Sequence, residues 1–131
     1  MDTLRASAVE QVKSYLDAEV EITAGQTFVK KSREMKIYRE QQCFTCIIEH
    51  DISFGKVNAD GTALNRAEIF LLPEEYPSFL FAWKNFRIPL PTDYRQWQQV
   101  NPHIVSMCME SVEAPEDFAA RLSAAFSTLK T

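Results

Sequence analysis

The side chains with the widest chemical repertoire in this chain are three cysteines and two histidines. Cys43-Phe44-Thr45-Cys46 is a CxxC pair. A thioredoxin-type motif needs its first thiol at a helix N-terminus, where the helix dipole stabilises the thiolate, but Ile47 and Ile48 continue a β-prone run. The context does not suit redox chemistry. A thiolate-rich shell suits zinc, and Cys43, Cys46 and Cys108 with His103 (or His50) would compose a Cys3His set. In a regular strand residues i and i+3 point to opposite faces, so that set requires a turn or bulge at Phe44-Thr45. The competing expectation, and the preferred one, is buried apolar thiols with no metal and no cofactor.

Nucleophilic catalysis needs a nucleophile, a base and an orienting group within mutual reach. His50-Asp51 and Cys108 offer the elements of such a set, but both histidines sit among β-formers, where a structural hydrogen bond is the usual role. Glu74 and Glu75 follow Pro73 and read as a solvated turn or helix start rather than an acid/base couple. With glycine only at positions 25, 55 and 61, neither a P-loop nor a GxGxxG pattern exists. The expectation is a protein that is not an enzyme.

Two groups of residues suit binding. Lys30, Lys31, Arg33, Lys36 and Arg39 cluster beside Phe28 and Tyr38. Cations interleaved with rings can track single-stranded nucleic acid, neutralising phosphates and stacking on bases. The same charges would equally keep an edge strand from pairing with other chains. The second group is aromatic: Tyr76, Phe79, Phe81, Trp83 and Phe86, then Tyr94 and Trp97 beyond Pro89-Leu90-Pro91. An ordinary core accounts for such density. A protein-binding face at Tyr76, Phe79, Trp83, Tyr94 and Trp97 is the functional reading, because Trp and Tyr dominate interface hot spots and a proline-stiffened loop loses little entropy on docking.

The elements that must carry these residues follow from periodicity. Leu4, Ala8, Val9, Val12, Tyr15 and Leu16 form the apolar stripe of a helix from about Thr3 to Ala18. The period then changes to two at Val20 and Ile22, with a break at Ala24-Gly25 before Thr27-Phe28-Val29. A charged strand through Met35, Ile37 and Tyr38 follows. Cys43 to His50 is apolar on both faces, as a central strand would be. Runs at 52–57 and 64–72 flank Asn58-Ala59-Asp60-Gly61, the clearest hairpin signal. Tyr76, Phe79, Leu80 and Trp83 predict a short helix with Pro77 at its first position, although Phe79, Phe81 and Trp83 also alternate as in a strand. Arg87 to Pro91 is an extended connector. Thr92 is placed to cap a helix carrying Tyr94, Trp97 and Val100 and stopped at Asn101-Pro102. His103 to Val112 alternates as a last strand, and Pro115 opens a helix with Phe118, Leu122, Ala125, Phe126 and Leu129 buried.

The expected fold is therefore α+β: one domain over residues 1–131, a mainly antiparallel sheet of five to six strands, with N- and C-terminal helices packed on one face. A chain of 131 residues suits one domain, and nine Phe, four Tyr and two Trp can fill its core. No run approaches the ~18 apolar residues of a membrane span. The N-terminus lacks a secretory pattern, and three cysteines are an odd number, so a reducing cytoplasm is the expected setting. A formal charge of −4 argues against whole-surface capture of DNA or membrane and favours a basic partner. Function is thus expected to be non-catalytic protein binding, of the immunity, inhibitor or client-chaperone kind. Single-stranded nucleic-acid binding through residues 28–39 is the alternative, with a zinc or thiol protein behind it. The charged strand, if at an edge, would pair across a two-fold axis in a homodimer.

Overall fold

The computed structural model describes residues 4–100 and 103–129; the Arg39 side chain and the expected stop at Asn101-Pro102 lie outside the described residues. Six strands form one sheet: β1 (Glu19–Thr23), β2 (Gln26–Arg39), β3 (Gln42–Gly55), β4 (Ala63–Leu71), β5 (Tyr94–Val100) and β6 (Val105–Glu113). Their spatial order is β1-β2-β3-β4-β6-β5, antiparallel throughout. Helices α1 (Ala6–Leu16), α2 (Tyr76–Lys84) and α3 (Pro115–Phe126) complete the α+β architecture, with α3 packed against both α1 and α2. Among the described residues no helix is long and apolar enough to cross a membrane.

Period-two alternation decides which side the helices cover. Val29, Ile52, Phe54, Ala67, Ile69, Met107 and Met109 are buried beneath the helix layer, while their chain neighbours face the other way. Each helix contributes one stripe: Ala8, Val12 and Leu16 from α1, Phe79 and Trp83 from α2, and Phe118, Leu122 and Ala125 from α3. Edge-to-face rings bind the layers at the centre, with Phe118 5.8 Å from Phe54 and 5.4 Å from Trp83. Helix α1 stops where Asp17 turns left-handed at φ 49°, and Lys31 Nζ donates to the Leu16 carbonyl at 2.9 Å, a cation at the negative end of the helix dipole. Tight turns at Ala24-Gly25, both with positive φ, and at Glu40 close the first two hairpins.

Three expectations are corrected. Residues 94–100 form a strand, β5, not a helix capped by Thr92. The Tyr94, Trp97, Val100 spacing suits a helix, but all seven residues pair with β6, and Tyr94 and Gln96 face the helix layer between outward Arg95 and Trp97. Cys43 to His50 does not lie in the middle of the sheet. Strand β1 pairs with β2 only up to Lys30, and β4 pairs with β3 only from Asp51, so residues 31–39 and 42–50 project as a two-stranded ribbon. Its outward Tyr38 and Ile47 are 74% and 77% exposed. The charged strand is thus an edge only along this ribbon. Finally, α2 begins at Tyr76 after a 3-10 turn at Pro73–Glu75, which puts Pro77 in the second helical position and removes the strand alternative.

One buried ion pair ties α3 to β6. Arg121, fully buried, donates from Nη1 to Glu113 Oε2 at 2.7 Å and from Nη2 to the Ile88 and Pro89 carbonyls at 3.2 Å. Its guanidinium lies 5.4 Å from the Trp83 ring. The connector before β5 is held in this way without secondary structure of its own. Removing one member strands a buried charge, so Arg121→Ala is expected to lose about 3–5 kcal/mol of unfolding free energy in urea titrations.

Candidate functional site

The face of the sheet opposite the helices carries two rows of side chains, each running directly across the strands. The first is Glu21, Phe28, Ser53, Arg66, Glu110 and Arg95, and the second is Glu19, Lys30, Asp51, Glu68, Cys108 and Trp97. Between them lies a hollow of about 290 Å³, with Phe28 at one end and Trp97 at the other. Trp97 is 43% exposed. Glu110 is gripped from both sides, by Arg66 Nε at 2.8 Å and by Arg95, whose guanidinium also stands 6.0 Å from the Trp97 ring. Lys30 reaches Glu21 at 3.0 Å. Ser106 donates to Glu68 at 2.5 Å. Burial, reinforced by the Glu68 and Asp51 carboxylates, pushes the Cys108 thiol up, so it remains protonated and poorly nucleophilic.

The residues expected at an aromatic docking face divide between core and surface. Phe79 and Trp83 are fully buried and serve the core. Tyr94 lies under the helix layer, where its hydroxyl accepts from Trp83 Nε1 at 2.7 Å and donates to Gln96 at 2.6 Å. Burial raises its phenol to about 12, which keeps the donor proton in place. Tyr76 bonds Gln98 on the same side. Trp97 alone of the five stands on the open face, because β5 is a strand and sends alternate residues outward.

The basic cluster is likewise divided. Lys31 caps α1, with its ammonium 5.2 Å from the Phe126 ring. Arg33, its side chain 7% exposed, forms a two-pronged pair with Glu75, both contacts at 2.8 Å. Lys30 is paired with Glu21, while Lys36 and Tyr38 are exposed on the ribbon. The thiols are neither buried, as expected, nor brought together: Cys43 is exposed and Cys46 and Cys108 are half-buried, because the ribbon and the open sheet face leave them in reach of water. Cys43 and Cys46 fall on opposite faces of the ribbon, and Cys108 lies in the hollow. Among the described residues no three His, Cys, Asp or Glu side chains, His103 included, are grouped to hold a metal.

His50, Arg33 and Glu75 perform a structural task that sequence alone did not suggest. They occupy the fork where β3 leaves β4. Phe70 has no strand neighbour on that side; its N–H donates to His50 Nδ1 at 3.2 Å and its carbonyl accepts from Arg33 at 3.4 Å. Glu75 in turn accepts the Leu72 N–H at 2.8 Å. Although burial acts to raise it, the Arg33 guanidinium and the Leu72 N–H hold the Glu75 carboxyl below its usual range. The His50 ring lies beside Phe70 and Phe126, with centroids at 6.3 and 5.3 Å. It faces the helix layer, away from Asp51 and Cys108, so these three do not converge.

Comparison with known proteins gives no match to a family model, to a curated protein or to a solved structure. The site must be read from its own geometry. Paired charges, a protonated thiol and a histidine fixed as an acceptor are arranged to support structure, and the open face offers a broad amphipathic surface between two rings.

Burial, with the Arg33 and Lys31 cations beside it, lowers the His50 imidazole from 6.5 to about 4, against a smaller opposing effect of Glu75. A folded-state value below the unfolded one means that the unfolded chain takes up the proton first as pH falls. The contribution is therefore complete above pH 6.5 and is lost between pH 6.5 and 4, on the order of 3 kcal/mol. Urea midpoints across that window, together with an imidazole NMR titration of His50, are expected to show the decline and a midpoint near 4.

Proposed function

We propose that this chain is a non-catalytic binding protein that acts through protein–protein contacts made by the helix-free face of its sheet. An inhibitor, immunity or client-chaperone role falls within this class. The observation that carries the reading is the exposure of Trp97 and Phe28 at the two ends of a polar hollow on a sheet face that no helix covers among the described residues. Large rings at exposed strand positions favour interface anchoring, and strands hold them with little entropy left to lose. The groups able to do acid–base or thiol chemistry support the same view through their structural engagements: His50 with Phe70, Glu75 with Arg33, Glu110 with two arginines. The free thiols suit a reducing cytoplasm as the working compartment.

A photo-crosslinking amino acid placed at Trp97 is expected to yield a discrete protein adduct in lysate of the native host. The same group at Phe81, exposed on α2, is expected to yield none. Adducts that disappear with nuclease instead of protease, and that require Lys36, would move the assignment to single-stranded nucleic acid. Equal labelling from both positions would remove the sheet face as the docking surface.

A further inference from the structure

We infer that the helix-free face seats a basic, extended segment of a partner polypeptide, with an arginine or lysine side chain held between Asp51 and Glu68 and apolar side chains against Phe28 and Trp97. This names the partner chemistry of the docking face proposed above and rests on that reading.

The register places Asp51 directly opposite Glu68 on adjoining strands. Like charges so placed repel, with Cβ atoms about 5 Å apart, and sheets are normally built to avoid this. Neighbouring charges are resolved locally: Glu21 takes Lys30, and Glu110 takes Arg66 and Arg95. Lys30 stands opposite Asp51 but turns to Glu21. Ser106 supplies Glu68 with a hydrogen bond and no charge. Among the described residues, then, no ion pair engages Asp51 or Glu68, and the two rows carry five carboxylates (Glu19, Glu21, Asp51, Glu68 and Glu110) against three cations (Lys30, Arg66 and Arg95), a net negative face complementary to a cation from outside.

The flanking surface selects the kind of cation. Trp97 already has Arg95 beside its ring, showing that the ring stands where a guanidinium can approach it. Long basic side chains can also lay their methylene stems on Phe28 or Trp97 while the charged head reaches the carboxylates. Phe28 and Trp97 belong to β2 and β5, four strand spacings apart in the sheet, or about 19 Å. A small ligand does not bridge that span, whereas about six extended residues do. A hollow of about 290 Å³ spread over five strands is shallow, which suits a chain laid across it.

The test uses three synthetic hexapeptides alternating leucine with arginine, glutamine or glutamate, titrated into the 131-residue chain. Trp97 fluorescence and backbone amide NMR shifts report binding. The arginine peptide is expected to bind most tightly, to move the Glu68 and Cys108 amides, and to weaken as NaCl rises. In the double variant Asp51→Asn with Glu68→Gln its affinity should fall about five-fold or more, while the Tm of the free variant stays level or rises because the repulsion is gone. If all three peptides bind this face equally, or the double variant keeps its affinity, the cation seat is overturned and the protein-docking reading stands. If the free variant melts lower, the carboxylates serve the fold and the inference is likewise overturned. If no peptide perturbs this face, both readings fall.

Discussion

Three short helices can cover one side of a six-stranded sheet and no more, and much of the remaining structure follows from that one-sided cover. The central strands β3, β4 and β6 send alternate residues into the core beneath the helices, and the residues between them must be compatible with water. The sequence meets the demand with charge: Lys30, Arg66 and Arg95 neutralise Glu21 and Glu110 across neighbouring strands. The Lys30–Glu21 pair, exposed on both sides, adds little stability, whereas Glu110 is buried between its two arginines. The effect of these pairs is to set the character of the face, and the places where pairing is incomplete, at Asp51 and Glu68, give it a polarity of its own. The two rings stand at the margins of that surface because β2 and β5 hold them there.

The second organising feature is the fork between β3 and β4. A strand pair that separates within a sheet leaves backbone groups without partners, and an unpaired buried group is costly. Here the ribbon's own side chains replace the missing ladder. His50 accepts one Phe70 bond, Arg33 supplies the other, and Glu75 anchors Arg33 to the turn that leads into α2. The ribbon is therefore docked through polar geometry at its root and by burial of Met35 midway, while Gln42 to Thr45, nearest the turn, are exposed. Local order should decline toward the Glu40 turn, as it does wherever burial and neighbours run out.

The sequence made the helix at the N-terminus, the hairpin about Asp60-Gly61 and the final helix legible, because each has a stripe or turn chemistry that one window reveals. The same window misled at Tyr94, Trp97 and Val100, where a three-residue spacing and a following proline imitate a helix; pairing with β6 overrode it. Cys43 to His50 looked central because it is apolar on both faces, yet apolar character cannot distinguish a buried strand from a projecting one. Of the five aromatic candidates, two proved to be core because helical spacing turns Phe79 and Trp83 to the same inner side. Lys31 and Arg33 read as surface cations, since nothing local announces Leu16 or Glu75 as their partners. The face now proposed for docking was invisible for a related reason: Asp51 and Glu68 are 17 positions apart in sequence, and only strand register sets them side by side.

The unbroken pairing of β3 with β2 past Cys43 and Cys46 has a further consequence for the CxxC pair. Three strand residues advance about 10 Å, whereas a disulfide needs its Cα atoms within about 7 Å. Cys43 and Cys46 thus cannot close a ring with each other while the ribbon keeps its form. Once an oxidant converts the exposed Cys43 to a sulfenic acid, that group condenses with a low-molecular-weight thiol or the thiol of another chain, losing water, or is oxidised further, and it does not form a Cys43–Cys46 bridge.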